Sequence, residues 1–251
     1  MNCATAENFF KNMTPKKTNP DRRGFTLIEL LVVISIIGIL AGFSLAVLGS
    51  VKNRQRVSTA RAELTIIESA LSTYQAKYSA YPPGNPGLAM TNQLYFELTG
   101  VTVTNTPAVF TTLDGATNIT QANYSEAFNT VAYNNNNNNL VGVVNCSKGG
   151  GEDAAAAKTF LSGFSSKNIG TYTNANGATA NVLVTAVGGP DAGYLAGLAR
   201  EGFAGNPFRY VCPGVRNPSS YDLWVQLVIK PGVTNLVCNW SSAAQVNTSD
   251  P

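Results

Sequence analysis

A chain of 251 residues, 44% of them hydrophobic, has room for one substantial domain beside a membrane segment. It contains no histidine, which excludes Ser-His and Cys-His nucleophile pairs and His-containing zinc sites. The net charge of +3 gives no case for nucleic-acid binding: Lys11, Lys16, Lys17, Arg22 and Arg23 stand in the first 24 positions against Glu7 and Asp21, and the remainder carries twelve charges of each sign.

Residues 1 to 24 read as a basic leader, and Met13 is an alternative start because MTPKKTNPDRRG is itself compact and basic. From Phe25 to Val51 there is no Lys, Arg or Asp and one acid, Glu29, a run long enough to cross a bilayer as a helix. A carboxylate within hydrocarbon costs on the order of 3 kcal/mol and calls for a partner. Cleavage between Gly24 and Phe25 would supply one, since the new α-amine at Phe25 lies one helical turn from Glu29, or within reach of it on a neighbouring chain.

The segment GFTLIELLVVI resembles the N-terminal signature of type IV pilins and type II secretion pseudopilins. That resemblance implies removal of residues 1 to 24 by a prepilin peptidase at Gly24, N-methylation of Phe25, and a docking role for Glu29, with Thr26 beside it, as each subunit enters a filament. Two plainer readings compete. A secretory signal would be cut after a small residue such as Ala46, but its apolar stretch would be shorter and free of Glu29. A simple single-pass anchor explains the length and neither the acid nor the Gly24-Phe25 junction.

Past the apolar run, Lys52, Arg54, Arg56 and Arg61 form a basic patch suited to phospholipid head groups. Val57, Ala60, Leu64, Ile67, Leu71, Tyr74 and Tyr78 then recur at spacings of three and four, one stripe on a helix. The spacing predicts a helix to about Tyr78, roughly 80 Å in all at about 1.5 Å per residue. It ends before Pro82, Pro83, Gly84 and Pro86. The expected cover for the stripe is an antiparallel sheet from the rest of the chain, an α+β, pilin-like fold. The parts are then the leader 1–24, a transmembrane half 25–51, an amphipathic half 52–80 and a globular domain 81–251.

Within that domain, residues of about 100 to 200 are rich in Asn, Thr, Gly and Ala, with the run Asn134 to Asn139. They read as loops and a few strands around apolar runs such as Leu140 to Val144 and Asn181 to Val187, and Asp153 to Phe164 reads as a short helix burying Phe160, Leu161 and Phe164. An Asn tract is a flexible loop more often than a recognition surface. Glu152, Asp153 and Glu201 read as solvated acids, and Gly149 to Gly151 and Gly188-Gly189 fit no phosphate-binding loop. Catalysis is not indicated.

The resemblance extends to ARAELTIIESALSTYQAKYSAYPPGNPGL, Ala60 to Leu88, which is similar to the stem of the major pseudopilin, and to FAGNPFRYVCPGVRNPSSYDLW, which is similar to its terminal strands with Ala204-Gly205 in place of Trp-Gly. Ala46 replaces a proline common in that family, and Gly38, Gly42 and Gly49 offer the softness instead. Family members pin the terminal loop with calcium, yet no Asp or Glu occurs from Leu223 to Asn247, so calcium's ligands are not evident and no cofactor is expected. Cys212 and Cys238 follow two apolar runs, 208–211 and 234–237. If those strands are neighbours, a disulfide closing about 25 residues would contribute roughly 3 kcal/mol. Three reduced thiols, with Cys146, are the alternative.

What the family implies is a structural subunit of a type II secretion pseudopilus. It would be inserted in the inner membrane with the leader cytoplasmic and the domain periplasmic, then built into a helical homo-oligomeric filament with an inner-membrane assembly platform and minor pseudopilins. A type IV pilin for adhesion, motility or DNA uptake and a membrane-anchored binding protein that never polymerises are the rivals.

Overall fold

A computed structural model describes residues 24–85, 88–105, 108–128, 142–148, 156–188 and 191–247. The leader up to Arg23, the Asn134 to Asn139 run and Glu152-Asp153 lie outside the described residues. The chain divides into two units, Met1–Gly49 and Ser50–Pro251. One helix, α1, Leu27–Tyr78, contributes to both.

In the first unit, the large apolar side chains from Leu27 to Leu40 are 44% (Val33) to 87% (Leu27) exposed, on every face of the helix. Among the described residues no helix is long and apolar enough to cross a membrane.

In the second unit α1 buries the predicted stripe. Ala60, Leu64, Ile67, Leu71 and Tyr74 are at most 1% exposed, Ala70 joins them, and Val57 and Tyr78 pack at the two ends. The helix stops at Tyr78, where Ser79 turns to φ +57° while its N–H still donates to the Gln75 carbonyl. Pro82 and Pro83 cannot continue it.

The cover is built from three small sheets. Strands β8 (Arg209–Val211), β9 (Asp222–Lys230), β10 (Val233–Cys238) and β11 (Gln245–Val246) form an antiparallel sheet in the order β11-β10-β9-β8. Strands β5 (Ile169–Thr173), β6 (Thr179–Thr185) and β7 (Asn206–Pro207) form a second. The third has the order β3-β2-β1-β4, from β1 (Val101–Asn105), β2 (Ala108–Thr112), β3 (Asn118–Thr120) and β4 (Cys146–Lys148), with β4 parallel to β1. Among the described residues there are also three short α-helices, α2 (Leu94–Thr99), α3 (Gln121–Phe128) and α4 (Ala192–Arg200), and one 3-10 turn, Ser166–Asn168. The 100–200 region thus shares one core with the stem, through residues such as Phe110, Tyr124, Phe128 and Leu183.

The expected helix over 153–164 is absent from its described part, 156–164. The N–H groups of Phe160 and Leu161 donate instead to the Leu98 carbonyl at the end of α2, at 2.7 and 3.2 Å, and Gly163 takes φ +87°. Phe160, Leu161 and Phe164 still pack on the core, from an extended chain.

Two buried carboxylates tie this loop-rich region together. Glu63, on the stripe between Ala60 and Ile67, accepts from Asn168 Nδ2 (2.8 Å), Ala186 N–H (3.1 Å) and Thr185 Oγ1 (2.5 Å). Glu97 on α2 is fully buried and accepts from Tyr74 Oη of the stem (2.9 Å) and from the N–H groups of Val144 (2.8 Å) and Asn145 (3.0 Å). Asn145 extends the node, donating to the carbonyls of Glu97 and Lys158 and accepting from Tyr78 Oη at 2.8 Å. Burial pushes the Glu97 carboxyl up to about 7, against the pull of those three donors.

Between about pH 4.5, where an unfolded glutamate releases its proton, and about 7, where Glu97 does, the folded state holds a proton that the unfolded state has lost. The contribution of Glu97 is therefore complete below 4.5 and declines through that window, by about 3 kcal/mol. Denaturant unfolding of the detergent-solubilised protein at pH 5 and pH 7.5 should show this decline in the wild type and a flatter dependence in Glu97→Gln. Equal slopes would contradict it.

Candidate functional site

The first turn of any helix leaves N–H groups without partners, and here Thr26 and Glu29 close that turn reciprocally. Glu29 Oε2 accepts from the Thr26 N–H at 2.8 Å and from Thr26 Oγ1 at 2.7 Å, while the Glu29 N–H donates to Thr26 Oγ1 at 3.3 Å. This is a capping box, with the anion at the positive end of the helix dipole. The T-x-x-E spacing of Thr26 and Glu29 is readable as a capping box, and it gives Thr26 its role: a donor that fixes the acid at the helix start.

Among the described residues nothing lies within 4 Å of a Cβ placed on Gly24, and Phe25 is 76% exposed. Of the predicted site residues, Thr26 and Glu29 are brought together, while Gly24 and Phe25 lie just before the helix. Glu29 Oε1 has no hydrogen bond among the described residues and remains an acceptor for a cation, while Oε2 is held by Thr26.

Of the basic patch, Lys52 and Arg54 are exposed. Arg56 bonds back to Asn53 Oδ1 at 3.0 Å. Arg61 departs from the patch: its guanidinium turns inward and donates to the Cys238 carbonyl at the end of β10, so this cation fastens the stem to the terminal sheet.

The cysteine pairing is corrected. No disulfide joins Cys146, Cys212 or Cys238, and the two runs that precede Cys212 and Cys238 are not neighbours, because β9 lies between β8 and β10. Two strand spacings of about 4.8 Å each exceed the roughly 7 Å that a disulfide tolerates between Cα atoms. Short apolar runs reveal strands and not the order in which they pair.

The residues do not fit the calcium that the resemblance implies. Asp222 lies at the start of β9 with its carboxylate oxygens facing the N–H groups of Arg216 and Asn217. Asp191 caps α4, accepting from the N–H groups of Gly193 and Tyr194. Among the described residues, no three His, Cys, Asp or Glu side chains gather as metal ligands. Donors around a carboxylate suit an anion, and a cation needs the reverse.

The chain carries a prepilin-type N-terminus: residues 19–45 match the family described as the prokaryotic N-terminal methylation motif. It is 38% identical over 65 residues to the type II secretion system core protein G of Pseudomonas aeruginosa, covering 26% of this chain and 46% of that protein. With the core protein G of Escherichia coli it shares 41% over 69 residues, 27% of this chain and 46% of the relative. The type IV major pilin protein PilE1 of Neisseria gonorrhoeae is 38% identical over 68 residues, 27% of this chain and 32% of the pilin. The chain thus spans a little under half the length of the core proteins it matches. No solved structure matches.

With no disulfide among them, alkylation of the unfolded, unreduced protein should modify Cys146, Cys212 and Cys238 in every chain. Intact mass reads this directly, and a species carrying one label and two fewer hydrogens would contradict it.

Proposed function

We propose that this chain is a structural subunit of a type II secretion pseudopilus, processed at Gly24-Phe25, methylated on Phe25 and assembled through α1. The observation that carries the reading is the pairing of an exposed Gly24-Phe25 junction with a carboxylate held one turn away, at the head of a helix whose apolar side chains from Leu27 to Leu40 are exposed. In this reading residues 25–51 sit in the inner membrane before assembly. The apolar surface then passes from lipid to the stems of other copies, and heterologous contacts that do not close produce a helical filament. Glu29 meets the Phe25 amine of a neighbour, so that two charges enter the filament core as a pair.

The similarity to core protein G, together with the stem and terminal segments that resemble the major pseudopilin, favours secretion over a type IV pilus. The same stem would serve either. A prepilin peptidase, an inner-membrane assembly platform and minor pseudopilins are the partners this reading requires, and the finished filament is periplasmic or extracellular.

The mature N-terminus should be N-methylated Phe25, which intact mass of membrane-extracted protein establishes. A chain beginning after Ala46, or keeping Arg23, would overturn the proposal.

Two variants distinguish docking from helix capping. Glu29→Val leaves a neighbour's amine unpaired in an apolar setting, which is strongly destabilising, so its incorporation into sheared filaments alongside wild type should fall about tenfold or more. Thr26→Ala removes the cap but keeps the charge and should incorporate nearly normally. Equal losses in both would reduce Glu29 to a capping residue.

A further inference from the structure

The loop between β8 and β9, residues 212–221, is long, exposed at Val215 and rich in turn residues, and such a loop needs something to order it. We infer that the buried Asp222 carboxylate orders it in place of a divalent cation, so that this domain folds and holds its terminal sheet without calcium. The inference concerns the domain alone and stands whether or not the chain polymerises.

Asp222 is 1% exposed and pairs with Val211 at the edge of the sheet. Its Oδ2 accepts the Arg216 N–H at 2.6 Å, and its Oδ1 accepts the Asn217 N–H and Nδ2, both at 3.0 Å. Two successive N–H groups converging on one acceptor form an anion nest, and here the anion is the chain's own. The Asn217 amide also donates to the Tyr221 carbonyl at 3.1 Å, so both of its acceptors fix the nitrogen toward Asp222 and the oxygen away. A cation placed at this carboxylate would face N–H dipoles of the wrong sign.

Space argues the same way. A Cβ on Gly214 would lie 2.6 Å from Asp222 Oδ1 and 2.8 Å from its Cγ, so the loop backbone already touches the carboxylate. Calcium would need six to eight oxygens at about 2.3–2.6 Å. The loop then closes on itself, with the Gly214 N–H donating to Ser220 O at 3.0 Å and the Ser220 N–H to Asn217 O at 2.9 Å.

Asn239, just past β10, completes the fastening. Its Nδ2 donates to the Tyr221 carbonyl at 2.9 Å, its Oδ1 accepts the Leu223 N–H at 3.0 Å, and its own N–H donates to Leu223 O at 3.0 Å. The two residues flanking Asp222 are therefore clamped from the neighbouring strand. This accounts for an acid-free stretch from Leu223 to Asn247: the region is held by amides and one internal carboxylate.

Thermal unfolding of the detergent-solubilised mature chain, in EDTA and in millimolar calcium, tests this. The wild-type midpoint should agree within about 1 °C between the two conditions. Asp222→Asn, which turns an amide donor toward the N–H groups, should lower the midpoint by about 4–8 °C in both. Should that variant fail to fold, Asn217→Ala removes one donor set and should give a smaller drop, again equal with and without calcium. A wild-type midpoint that falls in EDTA and recovers with calcium overturns the inference, as does an unchanged midpoint in both variants.

Discussion

A helix with apolar side chains on every side and a single carboxylate at its head cannot be at rest in water, and that constraint organises the rest of the molecule. From Leu27 to Leu40 the large apolar side chains are exposed. Exposing such a run to water costs on the order of 25 cal/mol for each Å², and in the proposed function a bilayer and then other copies supply the cover. Glu29 is tolerable there because Thr26 and the helix N-terminus already satisfy part of its charge. The cap lowers the cost of keeping the acid, and in the proposed filament the remaining oxygen meets an incoming amine.

The second half of the helix solves the same problem internally, and it does so with polar fasteners as well as an apolar stripe. Glu63, Glu97 and Asp222 are all buried, and each accepts from two or more protein donors. Glu63 lies on the stem itself, Glu97 takes a hydrogen bond from the stem through Tyr74, and Arg61 of the stem reaches Cys238. A region poor in charge and rich in Asn, Thr and Gly has few large side chains with which to define its own packing. Carboxylates that collect backbone N–H groups define it instead, because leaving any one of those donors unpaired costs about 1–3 kcal/mol.

The stem was legible in the sequence because its signal is periodic and long: spacings of three and four from Val57 to Tyr78 place every stripe residue on the buried face, and the prolines after Ser79 mark the stop. Glu63 obeys the same spacing, and a charge on an apolar stripe is the signal that would have identified it. The failures have a common cause in contacts distant along the chain. Phe160 and Leu161 spend their N–H groups on Leu98 and not on a helix of their own. Cys212 and Cys238 follow strands that both pair with β9, and strand order is not written in local composition. The partners of Asp222, the N–H groups of Arg216 and Asn217, are backbone groups that no residue type reveals.

In the proposed filament the exposed first half of α1 is covered by other copies of this chain. A photoreactive amino acid at Ile36, in cells that assemble filaments, measures this directly. Irradiation should yield a ladder of adducts between copies in the sheared filament fraction and few in membranes before assembly. Adducts confined to lipid or to unrelated membrane proteins, with no ladder of copies, would contradict the account.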